Sequence, residues 1–444
     1  LEMLSHQNFA DMRLAYDPHF KFDFSRSVYK TIVKFIATEH NRSYVIQPLP
    51  VHHFSIKLNE QKRTAELSWA PTTDKSEPTS TPRQYVIYIR KGNGAFDNGT
   101  VVNGTSHSIA LQPDVTYSFK VTALNAGGES FPSEILSAGI ASHNIGTILI
   151  VNGFTRLESP KVIDTPTEAG FDLDADPGVP YGAYAGYCGR QLSFDRSKAG
   201  KETRDGLGYS GSELEGKIVM GNTFDYAYLH GRAIMTTHRH SFTSTSEDAL
   251  LTGVYNLKHF NIVDVIFGVQ KEFNNKTADL LSTYLKDNGH LIISGANITQ
   301  LMEKMQGIDV TGTKVTTDKS IKDISMRNLS FDIFREMNDT SYAIPQLTSL
   351  ATGNKAFPML TYSDGSTAGI AYSAPEPKAK TETPITTKPK KEKKKKKNKE
   401  TEVTPQIKSN TSPRYIILGF PLESIKEDTK MNTFTRALVK YLEN

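Results

Sequence analysis

The stretch "FDYAYLHG" brings together side chains that are able to do chemistry. It holds Asp225, Tyr228 and His230 within six residues. A carboxylate, a phenol and an imidazole can bind a polar ligand or pass protons between donors and acceptors. The same pattern is typical of a capped helix start with packed aromatic rings. We therefore treat the three residues as candidate ligand-binding residues and keep the structural interpretation open beside it.

Other short motifs lack the context that their chemistry needs. "GLGYSG" at 206–211 has the glycine spacing of a dinucleotide-binding loop, but the charged residues before it cannot form the buried strand that such a loop follows. "GYSGS" and "GYCGR" place their second glycine one residue too early for a nucleophile elbow. Cys188 is the only cysteine, which excludes an internal disulfide. We expect it to be a loop or packing residue.

Charge is concentrated in one segment of the chain. Residues 376–402 contain eleven Lys and five Glu, which leaves the rest of the chain near −2 although the overall net charge is +4. We therefore expect no nucleic-acid partner. The surrounding residues, about 374–412, hold almost no large apolar side chains, so a disordered insertion is predicted. It is either a solvated loop or a tether to an anionic polymer.

Three units follow from the changes in pattern along the 444 residues. Residues 1–42 predict a helical tail whose apolar stripe, Val28, Ile32, Phe35 and Ile36, needs a partner surface. Residues 47–142 contain short alternating segments typical of an all-β sandwich. Residues 145–444 contain apolar runs that end in glycine and alternate with amphipathic stretches, which predicts a parallel sheet covered on both faces. No stretch approaches the ~20 apolar residues of a transmembrane segment.

The middle unit resembles a fibronectin type III domain. The resemblance rests on "AELSW", "YVIY", "LQPDVTYSFKVTALNAGGES" and "PSE". It implies an immunoglobulin-like sandwich with Trp69 and Leu111 in the core and with Tyr117 as the tyrosine corner, whose hydroxyl bonds back to the backbone. Such a domain is a spacer or binding module.

The last unit resembles the class I glutamine amidotransferase-like fold, an α/β flavodoxin-like domain. That family holds its nucleophile at a sharp turn between a buried strand and a helix. In "GHLIISGANITQLMEKM" the matching turn carries Gly295, Ala296 and Asn297, none of which can attack a carbonyl. The resemblance therefore implies a vestigial elbow and a role in binding. Any ligand is expected at the loops that end the strands, including 152–157 and 222–233.

The opening residues "LEMLSHQNFADM" resemble the end of the zinc-dependent N-acetylmuramoyl-L-alanine amidase catalytic domain. The resemblance makes Glu2 the general base on a zinc-bound water and places Asn8 at the turn after the catalytic strand. It implies that the zinc ligands, two His and one Glu, precede residue 1. We therefore expect zinc only in the parent amidase domain, with no cofactor and no metal ligands in this chain.

The order of the three units resembles a group of exported Gram-negative envelope proteins, some of which carry the label xanthan lyase. Two functions remain open. The chain is either the accessory C-terminal region of a peptidoglycan-hydrolysing amidase, itself inactive, or it carries an independent carbohydrate-binding or hydrolytic α/β domain. The expected partner is peptidoglycan or another envelope glycan. The expected location is periplasmic, outer-membrane-associated or secreted.

Overall fold

The computed structural model describes residues 3–5, 8–184, 194–195, 215–315, 320–323, 329–353, 356–373 and 413–443. The helices are α1 (Phe9–Tyr16), α2 (Pro18–Glu39), α3 (Tyr226–Met235), α4 (Glu247–Leu250), α5 (Asn275–Lys286), α6 (Thr299–Lys304) and α7 (Asp428–Glu443). Short 3-10 turns lie at Pro78–Ser80, Leu257–His259 and Leu422–Ser424. In the described part of the chain no helix is long and apolar enough to cross a membrane.

The strands fall into two groups. The first group is β1 (His52–Asn59), β2 (Thr64–Ala70), β3 (Gln84–Lys91), β4 (Thr100–Val102), β5 (Ser106–Ala110), β6 (Thr116–Asn125), β7 (Gly128–Glu129) and β8 (Leu136–Gly139). The second group is β9 (Gly146–Asn152), β10 (Lys161–Asp164), β11 (Glu168–Asp172), β12 (Ala183–Tyr184), β13 (Phe194–Asp195), β14 (Val219–Met220), β15 (His240–Ser246), β16 (Ile262–Ile266), β17 (His290–Ser294), β18 (Val310–Val315), β19 (Ser320–Asp323), β20 (Ser330–Asp332), β21 (Leu347–Thr352), β22 (Ala356–Tyr362), β23 (Thr367–Ser373) and β24 (Arg414–Leu418).

The first group forms a β-sandwich, as the alternating pattern predicts. One sheet joins β1, β2 and β5, and the other joins β4, β3, β6 and β8. Trp69 and Leu111 are buried in the core between the sheets. The Tyr117 hydroxyl accepts a hydrogen bond from the backbone N–H of Gln112 at 3.2 Å. The expected tyrosine corner is therefore present.

The second group contains a parallel sheet with strands in the order β15-β9-β16-β17-β24. By chain order these are strands 2-1-3-4-5, the flavodoxin-like arrangement, in which ligands bind at the carboxyl ends of the strands, at the switch point between β9 and β16. β23 and β22 continue the sheet in antiparallel pairing. The predicted fold class is confirmed: a sandwich followed by a parallel α/β domain.

Helices cover both faces of this sheet. Alternate residues of β16 point to opposite sides, so Ile262 and Ile266 pack in the cluster that includes α3 and α7. Val263 and Val265 pack on the other side, in the cluster that includes α5 and α6. This arrangement explains why the strands are apolar along their whole length rather than alternating.

The sandwich and the α/β domain meet along β15. This strand lies at the edge of the parallel sheet, and it also pairs with β1 and with β8 of the sandwich. All seven of its residues are buried although five of them are Ser or Thr. Their hydroxyls bond to sandwich backbone: Ser244 Oγ accepts from Ser137 N–H and donates to Ser137 C=O, each at 2.7 Å. The two domains therefore share buried hydrogen bonds.

The N-terminal helices pack against both domains. Arg26 and Lys30 of α2 form ion pairs with Asp74 of the sandwich at 3.1 and 2.9 Å. The apolar stripe on the other side of α2 remains largely uncovered, because Ile32, Phe35 and Ile36 are exposed. The partner surface that this stripe predicts is not supplied by the described residues.

Candidate functional site

A cleft of about 180 Å³ lies at the carboxyl ends of the parallel strands. Its walls come from the segments that follow β9, β16 and β17, which is where the fold predicts a ligand. The lining residues are Arg156, Lys161, Ala175, Asp176, Val269, Lys271, Asn297, Lys314, Pro345 and Gln346. Arg156 belongs to the loop 152–157 that the sequence singles out.

An ion cluster with Arg156 and Asp176 buried at its centre lines the cleft. Asp176 accepts from Arg156 Nη2 at 2.5 Å and pairs with Lys271 Nζ. Arg156 Nε also donates to Glu158 at 2.6 Å. Burial on its own raises the pKa of Asp176, but Arg156 and Lys271 outweigh it and hold that pKa below its ordinary value. Asp176 is thus a carboxylate at neutral pH, and it fixes both cations.

The charge left over in the cleft is small. Arg156 and Lys271 are balanced by Asp176 and Glu158, and Lys161 pairs with Asp172 at 3.1 Å. Lys314 is exposed at the rim and has no carboxylate partner among the described residues. The cleft is therefore polar with about one excess positive charge.

The expected elbow lies beside this cleft. β17 ends at Ser294, the turn follows, and α6 begins at Thr299. Ala296 is fully buried, whereas Asn297 lines the cleft and donates from Nδ2 to the Val269 carbonyl at 3.3 Å. A Cβ on Gly295 would lie 3.0 Å from Phe267 Cβ, so the turn packs tightly on the residue that follows β16. The turn therefore presents an amide to the cleft and buries a methyl group, and neither group is a nucleophile.

Asp225 and Tyr228 lie at the junction of the two domains and not in the cleft. Arg90 of β3 donates to both carboxylate oxygens of Asp225 at 2.6 and 2.7 Å. Its guanidinium also lies over the Tyr228 ring, 4.6 Å from the centroid. Burial raises the pKa of Asp225, and Arg90 opposes that shift. The contacts of both residues are those of an interdomain ion pair stacked on an aromatic ring.

His230 also belongs to α3, but its side chain is fully buried and has other partners than Asp225 and Tyr228. Its Nδ1 is 2.7 Å from Asp264 Oδ2 and its Nε2 is 3.3 Å from Glu423 Oε2, while Tyr342 donates to Glu423 at 2.7 Å. Burial alone would lower the pKa of His230, but the two carboxylates raise it to about 10. His230 is therefore an imidazolium between two carboxylates. It is fully buried, so it has no direct contact with solvent.

Sequence reasoning missed the partners of His230 and most of the cleft. A signal for Asp264 does exist, because "IVDVIFG" places one carboxylate inside an otherwise apolar strand. Glu423 and Tyr342 carry no such signal, since they lie in connecting segments. Lys271 and Asp176 are likewise surface-type residues in loops, and only the fold brings them together.

The remaining candidates lie near or outside the described residues. Asn8 caps α1, because its side-chain oxygen accepts from the N–H groups of Ala10 and Asp11 at 2.9 and 3.4 Å. Glu2 and Cys188 lie outside the described residues.

Comparison with known proteins identifies one domain. Residues 49–138 match the Fibronectin type III domain family. The twitchin kinase region from C. elegans is 26% identical, with 21% of this chain and 17% of that chain covered and a TM-score of 0.19. A fourth FNIII domain of human is 24% identical, with 21% and 79% covered and a TM-score of 0.19. This chain thus spans under a fifth of the twitchin structure. The protein contains a fibronectin type III domain followed by a mixed α/β domain with a parallel sheet.

Proposed function

We propose that the α/β domain binds a single acidic sugar residue of an envelope polysaccharide at the strand-end cleft, without hydrolysing it. The observation that carries the proposal is the cleft at the β9–β16 switch point, where α/β folds bind ligands. Its volume, about 180 Å³, is below the roughly 300 Å³ at which pockets for drug-sized ligands begin. A ligand the size of one sugar ring suits a cleft of this volume.

The chemistry of the lining agrees with a sugar acid. Asp176, Asn297 and Gln346 offer oxygen acceptors or amides for hydroxyl groups. Lys314 supplies the excess positive charge for one carboxylate. Because Ala296 and Asn297 occupy the elbow, this domain is an inactive member of an amidotransferase-like fold in our proposal.

The proposal is tested by titrating the chain with glucuronate and, as a neutral control ligand, with glucose. We expect saturable binding of glucuronate, at least fivefold weaker after Lys314→Glu, and weaker binding of glucose. Lys258→Glu is the matched control, because Lys258 is an exposed lysine that pairs with Asp287 away from the cleft lining. Absence of glucuronate binding at high millimolar concentration, or equal effects of the two substitutions, would contradict the proposal.

We also propose that residues 1–42 complete a zinc-dependent N-acetylmuramoyl-L-alanine amidase domain of an exported protein that acts on peptidoglycan. The supporting observation is that Asn8 caps a helix immediately after the segment that carries Glu2. In a protein that also carries the zinc ligands, Glu2→Gln should retain zinc and lose most turnover, because an amide cannot accept the proton. Glu39→Gln, at the end of α2, is the control. Full turnover with Glu2→Gln would remove Glu2 from the reaction.

A further inference from the structure

Two consecutive histidines and an aspartate meet where the fibronectin type III domain contacts the α/β domain. His52 and His53 begin β1, and Asp248 lies in α4. One potential ligand atom from each residue lies within 4.8 Å of the others. His53 Nε2 is 3.8 Å from Asp248 Oδ2. The site is distinct from the strand-end cleft, whose lining includes none of these residues.

The backbone of β1 is distorted in a way that brings the two imidazoles together. Consecutive residues of a regular strand point to opposite faces. Here His53 has a φ of 54°, in the left-handed region, and the pairing of β1 with β2 shifts register between His52 and Ser55. As a result the two rings lie 4.2 Å apart between centroids. A positive φ is uncommon for a residue other than glycine.

The carboxylate is held in position by its neighbours. Asp248 Oδ2 accepts from the His53 N–H at 2.9 Å. Asp248 Oδ1 accepts from the Ala249 N–H at 2.8 Å and from Ser246 Oγ. These bonds fix the orientation of the carboxylate, whose Oδ2 lies 3.8 Å from His53 Nε2. Outer hydrogen bonds of this kind are typical of metal-ligating carboxylates.

We propose that His52, His53 and Asp248 bind a divalent transition metal of the zinc type, which joins the fibronectin type III domain to the α/β domain. Two imidazoles and one carboxylate are a donor set that zinc accepts, with water in the fourth position. Tetrahedral ligand atoms are about 3.3 Å apart, so closure requires movements of about 1.5 Å. The half-exposed side chains of His52 and His53 can make such movements by rotation.

The experiment measures metal binding to the full chain after removal of metal with a chelator. Zn²⁺ is titrated by calorimetry and Co²⁺ by visible absorption. We expect one equivalent of either metal and a tetrahedral cobalt spectrum. His52→Ala and His53→Asn should each weaken binding at least tenfold, and Asp248→Asn should weaken it several-fold. His53→Asn is chosen because asparagine tolerates a positive φ and preserves the distortion of β1.

The control is His107→Ala, which removes an imidazole from β5 outside the cluster and should leave affinity unchanged. The unfolding temperature gives a second readout, because a metal that binds only the folded state stabilises it. Zinc at a concentration well above its dissociation constant should raise the unfolding temperature of the parent chain and not that of His53→Asn. Absence of saturable binding overturns the proposal. Binding that survives both histidine substitutions also overturns it, because the metal then lies elsewhere.

Discussion

His230 carries a charge in the core of the α/β domain. It is fully buried, and so is Asp264 at 1% exposure, while Glu423 is 8% exposed. Charges removed from water cost several kcal/mol each unless they are paired. The imidazolium contacts one oxygen of each carboxylate, so its loss leaves buried negative charge without a cationic partner.

We therefore predict that His230→Asn lowers the free energy of unfolding by about 3–5 kcal/mol. His259→Asn is the control, since His259 is exposed and most surface substitutions change stability by under ~0.5 kcal/mol. Urea unfolding followed by circular dichroism measures both. Equal stabilities of the two variants would show that the buried cluster contributes nothing.

A pH dependence follows from the same cluster. The pKa of His230 is raised from 6.5 to about 10 in the folded protein. A raised pKa means that the folded state holds the proton more tightly, so the stabilisation is complete below pH 6.5 and is lost as the pH rises through 10. As the pH rises through this range, the free energy of unfolding of the parent chain should fall by more than that of His230→Asn. If the stability of the two proteins depended on pH in the same way, the imidazolium would not be the cause of the pH dependence.

At the scale of elements, β15 explains how a strand of Ser and Thr can be buried. Its hydroxyl groups replace the water that the edge strands of the sandwich would otherwise bind. Ser244 is the clearest case, because one hydroxyl serves both the N–H and the C=O of Ser137. The strand pattern is therefore dictated by the neighbouring domain.

Ser244→Ala should lower the free energy of unfolding by about 1–3 kcal/mol, because it leaves buried backbone groups of Ser137 without a partner. Ser106→Ala on β5 is the control, since Ser106 is exposed at the edge of the sandwich. Thermal unfolding of the two variants distinguishes them. A melting temperature of Ser244→Ala that equals that of Ser106→Ala would be the contrary result.

The pairing of β23 with β24 leads to a prediction about the Lys-rich insertion. Ser373 pairs directly with Arg414 in the antiparallel register, so the residues on either side of 374–413 are already neighbours. A two-residue Asn-Gly turn can join such strands. Replacing 374–413 by Asn-Gly should leave the melting temperature unchanged within about 2 °C. The control variant replaces the same segment by a flexible Gly-Ser linker. If the melting temperature fell by several degrees in both variants, the segment would support the fold.

At the scale of the molecule, the domains form one unit rather than modules on a flexible linker. β15 pairs with strands of both, and Arg90 of the sandwich forms a bidentate pair with Asp225 of the α/β domain. The two side chains are 12% and 23% exposed, so solvent screens the pair less than it screens a surface pair. The pair should therefore couple the domains.

A double-mutant cycle tests this coupling. Arg90→Leu and Asp225→Asn should show an interaction free energy of about 1–3 kcal/mol. The exposed pair Lys258–Asp287 provides the control cycle, for which we expect under about 1 kcal/mol. Unfolding by denaturant measures all variants. Equal coupling in both cycles would mean that the junction is no stronger than a surface contact.

Local sequence patterns predicted the two folded domains. Short alternating segments predicted the sandwich, and apolar runs ending in glycine predicted the parallel sheet, because side-chain periodicity reports which faces of a strand are buried. The sequence also located the strand–turn–helix around Gly295 and the loop that contains Arg156. These features are local, so they depend on residues that are neighbours in the sequence.

Contacts between residues that are distant in the chain could not be predicted from local patterns. Asp225 and His230 are close in sequence, yet Asp225 pairs with Arg90 while His230 pairs with Asp264. His53 and Asp248 are 195 residues apart and are hydrogen-bonded. Such contacts depend on the strand order 2-1-3-4-5 and on the distortion of β1. Residues distant in the chain become neighbours only when the sheet is assembled, because strand pairing and not sequence spacing sets the distances between loops.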